Sequence, residues 1–317
     1  MSSEERALLV QTVRDLVARH ADSAAVRVAM DSERGYDESL WRLLCEQVGA
    51  AALVVPEDLG GAGGELADAA AVLTELGRAL VPTPLLGTTL AELALLAADE
   101  PDTDTLEALA AGESIGAVVF DAGFVVNGDI ADVVLGASDG RLTRWTEFTA
   151  APAVTMDPTR RLAAITPTET APLGADPGLA DIAALLLAAE AVGAAGRCLE
   201  LTVEYTKERV QFGRPIGSFQ ALKHRMADMY VQVQTASAVV DEALADPSPT
   251  SAALAHVSAI EALRDVAGEA VQMHGGIAIT AEHDIQLYFK RAHGSGQLLG
   301  QPIEYLRRLE SVALAAP

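Results

Sequence analysis

RVQFGRPIGSFQALKHRMADMY (residues 209–230) and QMHGGIAITAEHDIQLYFKRA (residues 272–292) are the stretches whose reading decides the fold. In the first, a helix closing at Arg209 leaves carbonyls without partners, and Gly213 and Pro215 force a turn. Arg209 and Arg214 then project from a rigid corner. Such a corner can hold a pyrophosphate through charge-assisted hydrogen bonds, with Phe212 packed on a planar ring. It reads equally as a surface helix–helix turn whose arginines serve solubility. In the second stretch, Gly275-Gly276 is either an ordinary helix C-cap or a place where another molecule comes close, because no Cβ intervenes. Gln272, about one turn earlier, is an amide suited to a purine edge or a ribose. His274 is either a donor facing a ligand or a satisfied packing residue.

Charge singles out the same region. The chain has 317 residues with 22 basic and 45 acidic side chains, a formal net charge of −23. A chain this acidic repels phosphate backbones and anionic membranes, which argues against a nucleic-acid or lipid-surface binder. Yet Lys207, Arg209, Arg214, Lys223 and Arg225 fall within nineteen residues that hold only Glu208 as an acid. One basic island in an acidic protein implies one local anion site.

Half of the residues are hydrophobic and only 4% aromatic, so the core must be built from Ala, Leu and Val, which favour helix. Cys45 and Cys198 stand alone in apolar helical contexts, which leaves neither a disulfide framework nor a Cys-rich metal site. MSSEERALL has no basic n-region or apolar h-region of a signal peptide. IAALLLAAEAVGAAG is broken by Glu190 and too short to span a bilayer. A soluble, cytoplasmic protein is expected.

Three segments emerge along the chain. Residues 1–112 carry helical spacing: Leu40, Leu43, Leu44 and Val48 recur at steps of three or four before Gly49, and DAAAVLTELGRAL runs to Pro82. The glycines at 60, 61, 63 and 64 lack GxGxxG spacing and read as a turn. Residues 113–177 hold short β-branched runs separated by Asn127-Gly128 and Asp139-Gly140, which predict a small antiparallel sheet or barrel. Its DPTRR connection, residues 157–161, reads as a turn. Residues 178–317 predict long helices over 180–209, 218–245 and 250–274, then one from about 282 and one over 302–315: an antiparallel bundle.

Taken together and in this order, the two motifs resemble the acyl-CoA dehydrogenase family. LWRLLCEQVGAAALVVPEDLGGAGG and TELGRALVPTP resemble that family's N-terminal helical domain. The resemblance covers nearly the whole chain and is weakest in the middle. It implies a mainly α fold with a small β-domain: an N-terminal helical domain, a middle β-domain, here reduced, and a C-terminal four-helix bundle. It also implies α,β-desaturation of an acyl-CoA thioester, in which a carboxylate takes the α-proton and FAD takes the β-hydride, with an electron-transfer flavoprotein as the usual acceptor. By this resemblance Arg209, Gln211 and Phe212 hold the flavin pyrophosphate, and Gln220, Gln272, Gly275 and Gly276 lie near the adenosine. In the family these residues act across a subunit interface.

Two departures shape the expectation. The family's usual base, a glutamate before a glycine, falls on Leu299-Gly300, and the alternative base position falls on Ala183. The same-subunit Thr-Glu-Pro and Trp-Ile-Thr/Ser-Asn segments that cradle the flavin ring are missing from the short middle part. The chain thus resembles the shorter subunit of α2β2 acyl-CoA dehydrogenases that act on steroid-derived CoA thioesters, which completes the FAD site of a longer catalytic subunit. One alternative is a self-sufficient enzyme that uses Glu190, seven residues beyond Ala183 and on nearly the same helix face. Glu190 has its own structural alternative, a core or interface glutamate paired with an arginine. A third reading is a scaffold protein that kept the fold without the redox chemistry.

Overall fold

The computed structural model describes residues 1–315. Six helices come first: α1 (Ser3–His20), α2 (Ser23–Met30), α3 (Glu38–Leu43), α4 (Leu66–Arg78), α5 (Leu85–Leu96) and α6 (Thr103–Ala110). Side chains at their starts explain several boundaries. Ser2 and Glu5 form a reciprocal capping box on α1, and Asp22, Asp37 and Asp102 accept first-turn N–H groups of α2, α3 and α6. Gly49, with φ 67°, ends the helical run after α3.

The sheet contains β1 (Gly116–Val119), β2 (Val125–Val126), β3 (Val133–Ser138), β4 (Arg141–Ala153) and β5 (Leu162–Ala175), in spatial order β1-β3-β4-β5-β2. Asp139-Gly140 joins β3 to β4, and both residues have positive φ, as a two-residue hairpin loop requires. The expected all-antiparallel sheet is corrected in one place: β1 pairs with β3 in parallel. Asn127-Gly128 is likewise no hairpin loop, because β2 pairs with β5 rather than with its sequence neighbour. The reason is tertiary. α5 packs against β1, and Gly116 N–H donates to Thr88 Oγ1, which holds β1 beside the helix while the chain crosses over to β3.

The bundle consists of α7 (Leu179–Glu208), α8 (Gln220–Ala245), α9 (Pro249–His274), α10 (Ile285–Ser295) and α11 (Pro302–Ala315). A short ribbon, β6 (Val210–Gln211) with β7 (Arg214–Pro215), separates α7 from α8. By length and composition α7 could cross a membrane, but it is the core helix: Ala183 through Ala195 are buried under α4, α8 and α9. The α4–α7 crossing is backbone-close. A Cβ at Gly193 would lie 2.0 Å from the Thr74 carbonyl oxygen, and one at Gly77 2.3 Å from that of Glu190. Cys45 and Cys198 are buried free thiols, and burial pushes each up to about 12.

One core residue breaks the pattern. Glu92 on α5 is fully buried, and neither carboxylate oxygen has a hydrogen-bond partner. Burial without a partner for either oxygen raises its pKa well above the ordinary 4.5. The unfolded chain ionises it near 4.5, so folding stability falls as pH rises from there toward the folded value. Glu92→Met is expected to stabilise the chain by about 1–3 kcal/mol at pH 8 and by less at pH 5. Urea unfolding at both values measures it.

Candidate functional site

The ribbon between α7 and α8 is an exposed corner of the bundle. Val210 pairs with Pro215 and Gln211 with Arg214, so Phe212 and Gly213 form the turn, both with positive φ. A phenylalanine in that backbone region is strained, and here its ring is also 91% exposed. The two-residue turn requires that backbone, as at Asp139-Gly140, but it leaves the ring in solvent. The Arg214 guanidinium sits 4.0 Å over the Phe219 ring, which meets Phe212 edge-on at 6.0 Å. Gln220 follows as the first, exposed residue of α8.

The island's cations divide unevenly. Arg225 pairs with Glu269 at 3.2 Å, whereas Lys207, Arg209, Arg214 and Lys223 form no ion pair among the described residues. The Arg209 backbone caps α7 through a bond to the Tyr205 carbonyl and accepts from Ile216 N–H, which leaves its side chain free. Gln211 folds its amide back on the Val210 carbonyl at 2.8 Å.

The second motif lies beside the first because α7 and α9 run side by side. Tyr205 donates to the His274 carbonyl at 3.3 Å and stacks on the His274 ring with centroids 4.2 Å apart. Gln272, Gly275 and Gly276 are exposed. A Cβ at Gly276 would touch nothing within 4 Å, so no contact inside the chain demands a glycine there. Unpaired cations, an exposed ring and an open Gly-Gly corner fit a flavin dinucleotide: anion contacts for its pyrophosphate, a flat apolar surface, and close approach of a second molecule. His274 is a buried packing residue whose Nδ1–H donates to the Ala270 carbonyl at 2.8 Å.

The positions where the resemblance places a catalytic base tell the opposite story. Leu299 and Gly300, with Leu86, Leu90, Phe120 and Phe124, help to wall a cavity of about 230 Å³ at the meeting of α5, the sheet and the loop after α10. Tyr305 fixes this loop by donating to the Leu299 carbonyl at 2.6 Å. Ala183 is buried nearby in α7, one residue before Ala184, whose carbonyl faces His256. The cavity's one acidic wall residue among the described ones is Asp121, which is exposed and accepts from Gly123 N–H.

Glu190 is buried and fully engaged. Arg160 Nη2 reaches its two oxygens at 2.6 and 2.7 Å, and Arg291 donates to it as well. Arg291 also bonds Asp157 at 2.6 Å and Thr159, while Arg160 bonds Ser295 at 3.1 Å. Two carboxylates and two guanidiniums thus neutralise one another. Burial alone would push Asp157 up, but Arg291 and Arg160 outweigh it and hold the carboxyl below its usual range. Both oxygens of Glu190 are thus engaged by arginine donors. The residues of this network that sequence reading missed are Asp157, Arg160 and Arg291. DPTRR showed only a turn, and no local spacing links it to α7 or α10.

Residues 3–113 match the acyl-CoA dehydrogenase N-terminal domain, and residues 174–301 match the acyl-CoA dehydrogenase C-terminal domain. The chain belongs to the acyl-CoA dehydrogenase family. Members of that family are FAD-dependent oxidoreductases. This acyl-CoA dehydrogenase is 68% identical to acyl-CoA dehydrogenase IpdE2 of Mycobacterium tuberculosis over 99% of both chains. It is 35% identical to acyl-CoA dehydrogenase FadE34 of the same organism, covering 99% of this chain but only 48% of that longer protein. Among solved structures it resembles the Tcur3481–Tcur3483 steroid ACAD, with a TM-score of 0.89 and 27% identity over 98% of both chains. The ChsE4–ChsE5 complex from M. tuberculosis gives a TM-score of 0.88 at 25% identity, over 100% of this chain and 99% of that one.

Proposed function

We propose that this acyl-CoA dehydrogenase is the partner subunit of a heteromeric enzyme and completes the FAD site of a longer, glutamate-bearing subunit. One observation carries the reading. The anion-binding corner is free and points out of the chain, while both family base positions are apolar, as Leu299 and Ala183. Two similar structures carry paired names, ChsE4–ChsE5 and Tcur3481–Tcur3483. FadE34, in which a unit like this chain fills about half, supports the same idea of one unit working beside a second.

When bound, FAD supplies the hydride acceptor for α,β-desaturation of the thioester. The chain's own residues bind and orient it. Arg209 would donate to the pyrophosphate, Phe212 would pack on a planar ring of the dinucleotide, Gln211 would leave the Val210 carbonyl, and Gln272 with Gly275-Gly276 would receive the adenosine end. Gln220 lines the same corner. The proton acceptor is proposed to belong to the partner, and the proposed assembly is α2β2 with one FAD per unlike pair. A steroid-derived acyl-CoA is the proposed substrate, supported by the steroid ACAD neighbour, and an electron-transfer flavoprotein the proposed acceptor. The reactions proposed are those of a soluble, cytoplasmic enzyme.

The chain purified alone is expected to show little flavin absorbance, and yellow, active protein is expected once the longer subunit is co-expressed. Stoichiometric FAD with turnover from the lone chain would sink the proposal.

A further inference from the structure

At the corner that meets the adenosine in this reading, three rings lock together. His274 stacks on Tyr205, His283 meets His274 edge-on at 4.8 Å, and His283 meets Tyr205 edge-on at 6.3 Å. The hydrogen bonds assign each imidazole one neutral tautomer. His274 Nδ1 faces the Ala270 carbonyl, which only accepts, so Nδ1 carries the hydrogen and Nε2 is the one site left for a proton. His283 Nδ1 accepts from Ile285 N–H at 3.2 Å, so its hydrogen sits on Nε2.

A proton added to His274 works against this arrangement, because it places charge on a ring that is 4% exposed and in contact with a second imidazole. The carboxylates around the cluster lie in solvent or are already bonded: Glu282, beside His283, is exposed. On the α10 side Asp284 is bonded to Arg27 and Ser23, on α9 Glu269 is paired with Arg225, and α7 contributes the neutral Tyr205. Burial, reinforced by His283, already holds His274 below the usual histidine range against the opposing pull of the Ala270 carbonyl. Because the folded value lies below the unfolded 6.5, the unfolded state binds the extra proton, and stability is lost as pH falls below about that value.

We infer that Tyr205, His274 and His283 are positioning residues that clamp the Gly275-Gly276 corner against the end of α7, and that protonating His274 opens the corner. The clamp carries no contact to the reacting atoms. It sets the height of the corner that receives the dinucleotide, so flavin retention becomes pH-dependent through this chain. This inference rests on the proposed partner-subunit function.

The test uses the co-expressed complex, titrated with FAD after removal of flavin, at pH 7.5 and pH 5.5. Wild type is expected to lose FAD affinity over that interval, by up to about tenfold for one proton that must leave before FAD binds. His274→Phe keeps a stacked ring without a site for the proton and is expected to flatten the pH dependence. His283→Gln keeps an acceptor for Ile285 N–H and the His274 imidazole, and is expected to retain the pH dependence. Amide exchange over residues 275–285, corrected for its intrinsic pH dependence, should rise in acid for wild type and not for His274→Phe. Parallel loss of FAD by wild type and His274→Phe would overturn the clamp, as would unchanged exchange in acid. Neither result bears on subunit composition, which is tested separately by the flavin content of the lone chain.

Discussion

Arg291→Met is expected to destabilise the chain by about 3–5 kcal/mol, because it leaves Glu190 and Asp157 buried with one guanidinium between them. Arg291 is 3% exposed and is the member of the network that bonds both carboxylates. Removing it strands a net negative charge where α4, α7, α10 and the β4–β5 connection meet. Urea or thermal unfolding of the lone chain reads the loss directly. Glu190→Gln should also destabilise, by leaving two arginines against one carboxylate. The double variant Arg291→Met with Glu190→Gln restores charge balance and should cost less than the two single changes added. The same series separates the roles considered for Glu190. A catalytic base would lose turnover with folding little changed. A structural partner loses stability first. Strict additivity of the two changes would refute the network as the reason for the burial of Glu190.

Arg209→Ala has the second large expected effect, on the complex rather than on the chain. Its guanidinium has no partner within the described residues, so the lone chain's unfolding midpoint should stay within about 0.5 kcal/mol of wild type. In the co-expressed complex, charge-assisted hydrogen bonds to a pyrophosphate are each worth about 1.5–3 kcal/mol, so FAD affinity should fall about ten- to hundredfold. Flavin absorbance per complex after gel filtration, and titration of the flavin-free complex, measure it. Unchanged FAD content would remove Arg209 from the site. Arg209→Lys keeps the charge but loses the planar fork, and should fall between the two.

Much of the fold was legible because its signals are local. Leu40, Leu43, Leu44 and Val48 recur with the helical period, and Gly49 stops the run. Gly213 and Pro215 mark the turn between α7 and α8, and Asp139-Gly140 marks its hairpin, for the same reason: backbone sterics act over two to four residues. The basic island was legible as composition, and Leu299 and Ala183 as substitutions in a recognised pattern.

What the sequence could not determine depends on which distant residues meet. The parallel β1–β3 pairing needs α5 lying against β1, and nothing in the runs themselves distinguishes it from a hairpin. Glu190 lies 30 residues from Arg160 and 101 from Arg291, so from spacing alone a buried base and a buried ion pair look the same. His274 is separated by 69 residues from the Tyr205 hydroxyl that bonds its carbonyl. By itself, then, the sequence determined the helices, the turns, the basic corner and the apolar Leu299 and Ala183 at the positions where the resemblance expects a base. Only the tertiary structure decided that Glu190 is held by cations and that Tyr205, His274 and His283 meet at the corner, because the state of a buried charge is set by its neighbours in space.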